Sequence, residues 1–522
     1  MAKQRPSDFL DVASDFQLGM LDTERPHPAT TSLALLSREN LPEAIERLRQ
    51  VDRDALAILQ ERIDSLHPLA TAIRETVDSG DRVFLCGCGA TGRLSISLEI
   101  FARRGLLAGA TVDNAIGFMA GGDAALIRSI ERFEDRPDFG EKQLRDLGFR
   151  DGDLLIASTE GGETPFVIGC AETAAEMSAR PPFFLHCNPD EILRENVERS
   201  RLVLDNPAIR KINLAVGPMA LSGSTRMQAS TVLTAAIGFA MKHAADPFAM
   251  AEDFDRWRHA ALDVCDWSFL EAFVRAEADV YEAGGFVLYE PGEFGITVLT
   301  DTTERSPTFT LTPFEREGEG ERPSLCWLHL RGTNSAEEVW DALLDRQPRP
   351  LEGGEMRHIT SGEAMAKFDF SDPGLEKRRH RIGEATQDRF LISPDENGGA
   401  VRWRFRGLDH SLAGSKGMDE LGRNLLLKML LNVHSTLIMG RRGRYEDNLM
   451  TYVSANNFKL IDRAVRYVRL LMQRHHGGAP DYETTARQLL AEREGLGPDE
   501  PIVLKTVEAL VRSEAPQAAD RA

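Results

Sequence analysis

Cysteine is scarce and scattered in this chain: six in 522 residues, at positions 86, 88, 170, 187, 265 and 326. That spacing supplies neither a disulfide framework nor a metal-ligand pattern, and it reads as reduced thiols. No apolar run approaches the roughly 18 to 20 residues that a membrane span requires. The opening Met-Ala-Lys-Gln-Arg-Pro-Ser-Asp is polar, so the protein is expected in the cytoplasm, away from membranes. Positive charge is also in deficit, with 62 Lys plus Arg against 82 Asp plus Glu and a net charge of -20. Such a balance repels polyanions, and nucleic acid is not expected as a partner. Small anions remain admissible, because backbone N–H groups at a helix start can hold a phosphate without a basic surface. Nucleotide motifs, a catalytic Cys/His pair and a metal cluster are missing too. Neither cofactor nor metal is therefore expected, and His186 and His434 read as structural.

What the chain does carry is length and a repeating local pattern. A single core rarely exceeds about 100 to 200 residues, so two large domains are expected. Residues 1–78 are polar with helical apolar spacing and form an N-terminal helical segment. From Asp81 onward, short β-rich runs each end in a Gly or Ser cluster and lead into an apolar-periodic helix, which is the mark of βαβ units. The runs are RVFLCGCG, AIGFMAGG, DLLIAST, PFFLHCN and INLAVG. They define a first α/β domain over 79–245, a doubly wound parallel sheet in a three-layer αβα sandwich. A helical connector covers 246–283. A second cycle follows over 284–474: GGFVLYEPGEFGITVLTDTTERSPTF repeats the order of RVFLCGCGATGRLSISLEIF, and NLLLKMLLNVHSTLIMGRR echoes RMQASTVLTAAIGFAMKHA. This is a diverged internal duplication, expected to build a second doubly wound parallel sheet. Residues 475–522, after a polar linker, form a small C-terminal helical cap.

Three turns in the first domain have the composition of anion cradles. Gly89-Ala90-Thr91-Gly92-Arg93 joins a strand to a helix, where glycines let N–H groups approach an anion. Ser158-Thr159-Glu160-Gly161-Gly162-Glu163-Thr164-Pro165 does the same with three hydroxyls, and it also makes a good helix start. Ser222-Gly-Ser224-Thr225-Arg226 opens the next long helix. Alone, each turn is a structural cap as readily as a site. At the carboxyl ends of one parallel sheet they point to one crevice and a phosphorylated ligand.

GCGATGR, FMAGGDAALIRSIERFED, STEGGETPFVIG, HCNP and GPMALSGSTRM resemble the SIS domain of N-acetylmuramic acid 6-phosphate etherases and of glucokinase regulatory proteins. The resemblance spans about residues 81–245, and LNVHSTLIMGRRGRYEDNLMTYVSANNFKLIDRAV is similar to the region both families share after the core. It implies two tandem SIS domains in one chain, an arrangement that resembles the regulatory protein; the etherase is similar but has one domain per subunit. In the etherase the sugar chemistry is attributed to two glutamates. Glu134, in Arg-Phe-Glu-Asp, matches one motif; Glu304, in Asp301-Thr-Thr-Glu-Arg-Ser-Pro-Thr-Phe, matches the other, whose copy in the first domain is lost to Phe101. Lys428 matches a lysine that both families share and is implied as a phosphate ligand.

The second domain has Phe294 and Ile296 where the first has hydroxyl and arginine positions, so its pocket is degenerate. One composite site is therefore expected, with the two domains paired as an intramolecular pseudo-dimer. Met219 and Gln228 replace the Glu and Lys that both families carry. Pro307 and Thr164 agree with the etherase. The resemblance implies a lyase of the etherase type acting on an amino-sugar or hexose 6-phosphate, with Glu134 and Glu304 as its acid and base. The alternatives are a sugar-phosphate isomerase and a non-catalytic regulator that senses a hexose phosphate and contacts a partner such as a sugar kinase.

Overall fold

A computed structural model describes residues 9–10, 13, 18–111, 113–130, 133–318, 320, 322–354, 356–396, 399–455, 457–497 and 499–519, of which 514–519 are described by backbone alone. The first sheet contains β1 (Val83–Gly87), β2 (Ala115–Met119), β3 (Leu154–Ser158), β4 (Phe183–His186) and β5 (Arg210–Asn213). All pairs are parallel, in the order β2-β1-β3-β4-β5. β1, β2 and β3 are buried along their whole length. That is why they read as continuous apolar runs rather than alternating ones. The strand order reverses between β1 and β3, and ligands of doubly wound sheets bind at the carboxyl ends beside such a switch point. The Gly89–Arg93 turn follows β1 and the Ser158–Thr164 loop follows β3, so both open on that crevice.

The second sheet departs from the expected parallel pattern. β6 (Phe286–Glu290) pairs in parallel with β7 (Cys326–Leu328) and β8 (Gln387–Pro394). β9 (Val401–Phe405) and β10 (Leu408–Ser411) then run antiparallel. The reason is local: Arg406 and Gly407 join β9 to β10 with φ of 51° and 82°, a two-residue turn whose twist folds a hairpin back on itself. No room remains there for a crossover helix.

Helix Ala90–Arg103 follows β1 and is buried at every position from Thr91 to Ala102. It lies against β1, β2 and helix Gln228–Lys242 of its own domain, and against helix Gly295–Phe309 of the second. Its terminal turn is held across the boundary by a dense ionic cluster. The Glu99 carboxylate accepts from Arg346 Nε at 3.0 Å and Arg349 Nη2 at 2.7 Å, while Arg346 Nη1 also reaches Asp123 at 2.6 Å. The N-terminal helices pack on both halves: Leu41–Glu61 touches helix Gln228–Lys242 and helix Glu420–Arg441. Helix Phe458–His476 runs through the boundary expected at 474/475, and the break comes at Gly477, which has φ of 74°. Helices Tyr482–Gly495 and Ile502–Ala519 pack on it and on each other. Among the described residues, no helix is long and apolar enough to cross a membrane.

Candidate functional site

A cavity of about 260 Å³ opens at the β1/β3 switch point, close to the ~300 Å³ at which small-molecule sites begin. Its walls come from four places in the sequence. The first domain contributes Gly89, Ala90, Arg93, Glu134, Glu160, Gly161, Thr164 and Ser224; the second contributes Glu304; helix Phe458–His476 contributes Lys459 and Arg463; the N-terminal segment contributes Glu24.

The turn after β1 needs its glycines. A Cβ on Gly87 would lie 2.2 Å from the Thr91 carbonyl carbon, and one on Gly92 would lie 2.5 Å from Met119 Cβ. Gly89 has φ of 55°, in the left-handed region. Thr91 closes the turn from within, its Oγ1 accepting from Cys88 N at 3.0 Å and donating to Cys88 O at 2.9 Å. The next loop is tied in the same manner. Ser158 Oγ donates to Cys86 O, and Thr159 Oγ1 bonds Thr164 Oγ1 at 2.9 Å and accepts from Gly162 N. In the third turn Ser222 Oγ bonds Glu24 O and the Tyr467 hydroxyl, both at 2.9 Å. Thr91, Gly92, Ser158, Thr159 and Ser222 thus stand behind the cavity wall and shape it, while Thr164 and Ser224 are on the wall.

The structure brings the two motif glutamates to the same cavity. Arg93 Nη1 is 3.9 Å from Glu304 Oε1, across the domain boundary, and Lys459 Nζ is 3.5 Å from Glu134 Oε1. Lys428 is not on this wall. It lines an adjoining depression of about 40 Å³ that shares Ala90, Arg93 and Glu304 with the cavity. Its ammonium donates to Arg226 O, Thr231 Oγ1 and Asn432 Oδ1, so its three donors are already used. Burial lowers its pKa to about 8, against the opposing pull of Glu304 and Asp52. Met219 and Gln228 also lie off the cavity; Gln228 bridges Ala220 N and Pro218 O and so holds the turn before SGSTR.

Sequence reasoning passed over Lys459 and Arg463, and it included Glu160 in a cradle turn without the protonation state that folding imposes on it. Lys459 and Arg463 sit one turn apart on a helix capped by Asn457, so the i, i+4 spacing puts them on one helix face but does not say what that face meets. Burial opposes the Lys459 charge, but Glu163, Glu134 and Glu24 overcome it and hold the ammonium protonated. Burial likewise opposes the Glu163 carboxylate, but Lys459 and Arg199 hold its pKa near 2. Glu160 is different in kind. It is 7% exposed and its Oε1 has no partner among the described residues. Burial, assisted by Glu304, raises its pKa to about 8, so at neutral pH it stands on the wall as an uncharged proton donor. Cys88 also lines the cavity, but burial and Glu134 push its thiol well above the ordinary range, which leaves it unfit as a nucleophile.

Arg226 extends the site into the second domain. It pairs with Asp301 at 3.0 Å, both 2% exposed. Asp301 in turn accepts from Arg305 at 2.8 Å, and Arg305 reaches Glu277 at 3.0 Å. A continuous buried chain therefore runs from the SGSTR turn into the core behind β6.

Residues 67–175 match the family described as "Glucokinase regulatory protein N-terminal SIS domain". Curated relatives include the N-acetylmuramic acid 6-phosphate etherase of Lactococcus lactis subsp. lactis (strain IL1403), 29% identical over 216 residues, and that of Pectobacterium atrosepticum, 30% identical over 219 residues. These alignments cover 41% and 42% of this chain and 66% of each relative's length. Among solved structures, tagatose-6-phosphate ketose/aldose isomerase from Escherichia coli aligns over 81% of this chain and 97% of its own, with a TM-score of 0.42 and 11% identity. Over residues 67–175 the chain is thus similar to the regulatory protein's N-terminal SIS domain, and over about two fifths of its length to the etherases, of which it spans just under two thirds.

Proposed function

We propose that this protein binds a sugar phosphate in the composite cavity and acts on it as a carbon–oxygen lyase of the etherase type, with the two domains paired as an intramolecular pseudo-dimer. The observation that carries the reading is a set of buried polar atoms on one wall. Arg93 Nε, Ser224 Oγ and Glu160 Oε1 have no partner among the described residues, and all three side chains line the cavity. Native proteins rarely leave such groups unmet, so a polar ligand is the natural complement. Donors from Arg93, Ser224 and Lys459 suit a phosphate.

The chemistry follows from the carboxyl groups. Elimination of an ether group from an open-chain sugar needs a base to remove the proton α to the carbonyl and an acid to protonate the departing oxygen. Glu134 and Glu304 face the cavity as candidates for these two tasks, and the uncharged Glu160 adds a second proton donor. Arg93 orients Glu304, and Lys459 orients Glu134. The second crevice is filled by Phe294 and Ile296, 1% and 2% exposed, which favours one site per chain. Incubation with N-acetylmuramic acid 6-phosphate and assay of released lactate tests the enzyme reading directly. Wild-type protein that binds a sugar phosphate tightly but converts none on a panel would overturn it.

One observation favours a regulator. Lys459 and Arg463 belong to a helix on which the C-terminal cap packs, so ligand contacts there bear on the cap. A ligand-gated binding protein, with a partner such as a sugar kinase, is the reading that would replace the lyase.

A further inference from the structure

Another pocket lies in the other domain and shares no lining residue with the central cavity. Its volume is about 40 Å³, and it is walled by Trp327 of β7, by Lys377, Arg378 and Arg381 of helix Asp372–Ile382, and by segments 315–317 and 367–369. Three N–H donors on these walls are buried and have no partner among the described residues: Trp327 Nε1, Arg378 Nε and Arg381 Nη1. Trp327 is only 4% exposed, and the Arg378 guanidinium stacks 4.9 Å above its ring.

Charge points the same way as the donors. Five cationic side chains line the pocket, Arg316, Lys367, Lys377, Arg378 and Arg381, against Glu315, Glu317 and Asp369. The carboxylates are engaged by two of the cations. Glu315 pairs with Arg378, while Lys377 Nζ is 2.8 Å from Glu317 and 3.8 Å from Asp369. Lys367 and Arg381 have no carboxylate partner among the described residues, and among the described lining residues cations outnumber carboxylates five to three.

We propose that this pocket binds a single oxyanion head group, phosphate or carboxylate, accepting from Trp327 Nε1, Arg378 Nε and Arg381 Nη1 with Lys367 as counter-charge. Three unmet donors and no unmet acceptor call for a ligand that only accepts. Waters could meet the three donors one apiece, but they carry no charge to balance the excess of cations. The volume admits about three water-sized spheres, enough for an oxyanion but not for a sugar ring. A sugar attached to the anion would project into solvent. This site stands whether or not the central cavity holds a sugar phosphate.

The test uses the full chain and two probes, inorganic phosphate and glucose 6-phosphate, titrated calorimetrically into the wild type, Trp327→Phe and Lys367→Gln. Trp327→Phe keeps the ring and deletes the donor; Lys367 is half-exposed, and its replacement leaves the core untouched. Each change should weaken phosphate binding at this pocket about tenfold or more. Selenate soaked into crystals should give an anomalous peak within hydrogen-bond distance of Trp327 Nε1 and lose it in Lys367→Gln. Tighter binding of glucose 6-phosphate than of phosphate here assigns a metabolite, and equal binding assigns the free ion; both support the site. A peak confined to the central cavity, or phosphate affinities unchanged in both variants, overturns it.

Discussion

Replacing Glu160 by Gln should make the protein more stable at pH 7 and 8 while leaving it nearly unchanged near pH 4.5. In the folded protein, burial and the neighbouring Glu304 carry the Glu160 carboxyl from its ordinary value of 4.5 up to about 8. Between these two values the native state holds a proton that the unfolded chain has released, so wild-type stability falls as pH rises through the window. Below pH 4.5 both states are protonated and nothing is lost; above pH 8 the full cost applies. The shift corresponds to about 5 kcal/mol across the window, of which about 3 kcal/mol is already lost at pH 7. Glutamine keeps the shape without the titration, so the gap between variant and wild type should open steadily with pH. Urea denaturation at pH 5, 6, 7 and 8 measures it, each pair of curves sharing one buffer. A gap that stays constant over this range would refute the buried, protonated Glu160. The same titration should appear in binding. Above pH 8 wild-type Glu160 becomes a carboxylate on the cavity wall and repels a phosphate, so affinity for a sugar phosphate should drop there in the wild type but not in Glu160→Gln.

Glu304→Gln should lower kcat on a lyase substrate by roughly 10² to 10⁴ while leaving Kd within a few-fold, because the amide keeps the contact but cannot exchange a proton; single-turnover assay beside equilibrium titration separates the two, and unchanged turnover removes Glu304 from the chemistry. Asp301→Asn should destabilise the fold by about 3 to 5 kcal/mol, since Arg226 and Arg305 lose a shared carboxylate among groups at most 2% exposed. A loss below about 1 kcal/mol in denaturant melts would mean that the chain of ion pairs is not what joins SGSTR to the second core. Calorimetric titration with a sugar phosphate at millimolar concentration should return one cavity site per chain, because Phe294 and Ile296 fill the second crevice; two equivalent sites would sink the composite arrangement.

Local chemistry made much of this molecule readable in advance. Short apolar runs led to β1 to β4, because a strand buried on both faces must be apolar at every position; β5, at the sheet edge with Arg210 exposed, overlaps its run INLAVG only at Ile212 and Asn213. The glycines of GCGATGR announced a tight turn, since a side chain at Gly87 or Gly92 meets backbone or Met119 at about 2.5 Å or less. Glu134 and Glu304 were implied by the resemblance to the etherase motifs, and they line one cavity although they belong to different domains. The antiparallel β9 and β10 were not anticipated, because their pairing depends on two left-handed residues, Arg406 and Gly407. Spacing could not tell which hydroxyls face the cavity: Thr91 and Thr159 spend theirs within their own turns, Ser158 on Cys86 of β1 and Ser222 on Glu24 and Tyr467, and only rotamer and packing decide that. Lys459 and Arg463 reach the wall from more than 200 residues beyond SGSTR, a contact that no local pattern encodes. The protonation of Glu160 is the clearest case, for the residue type alone predicts a carboxylate. Removal from water, with Glu304 brought close by the second domain, turns it into an acid, because the energy of a charge depends on the dielectric and the neighbours that folding assembles around it.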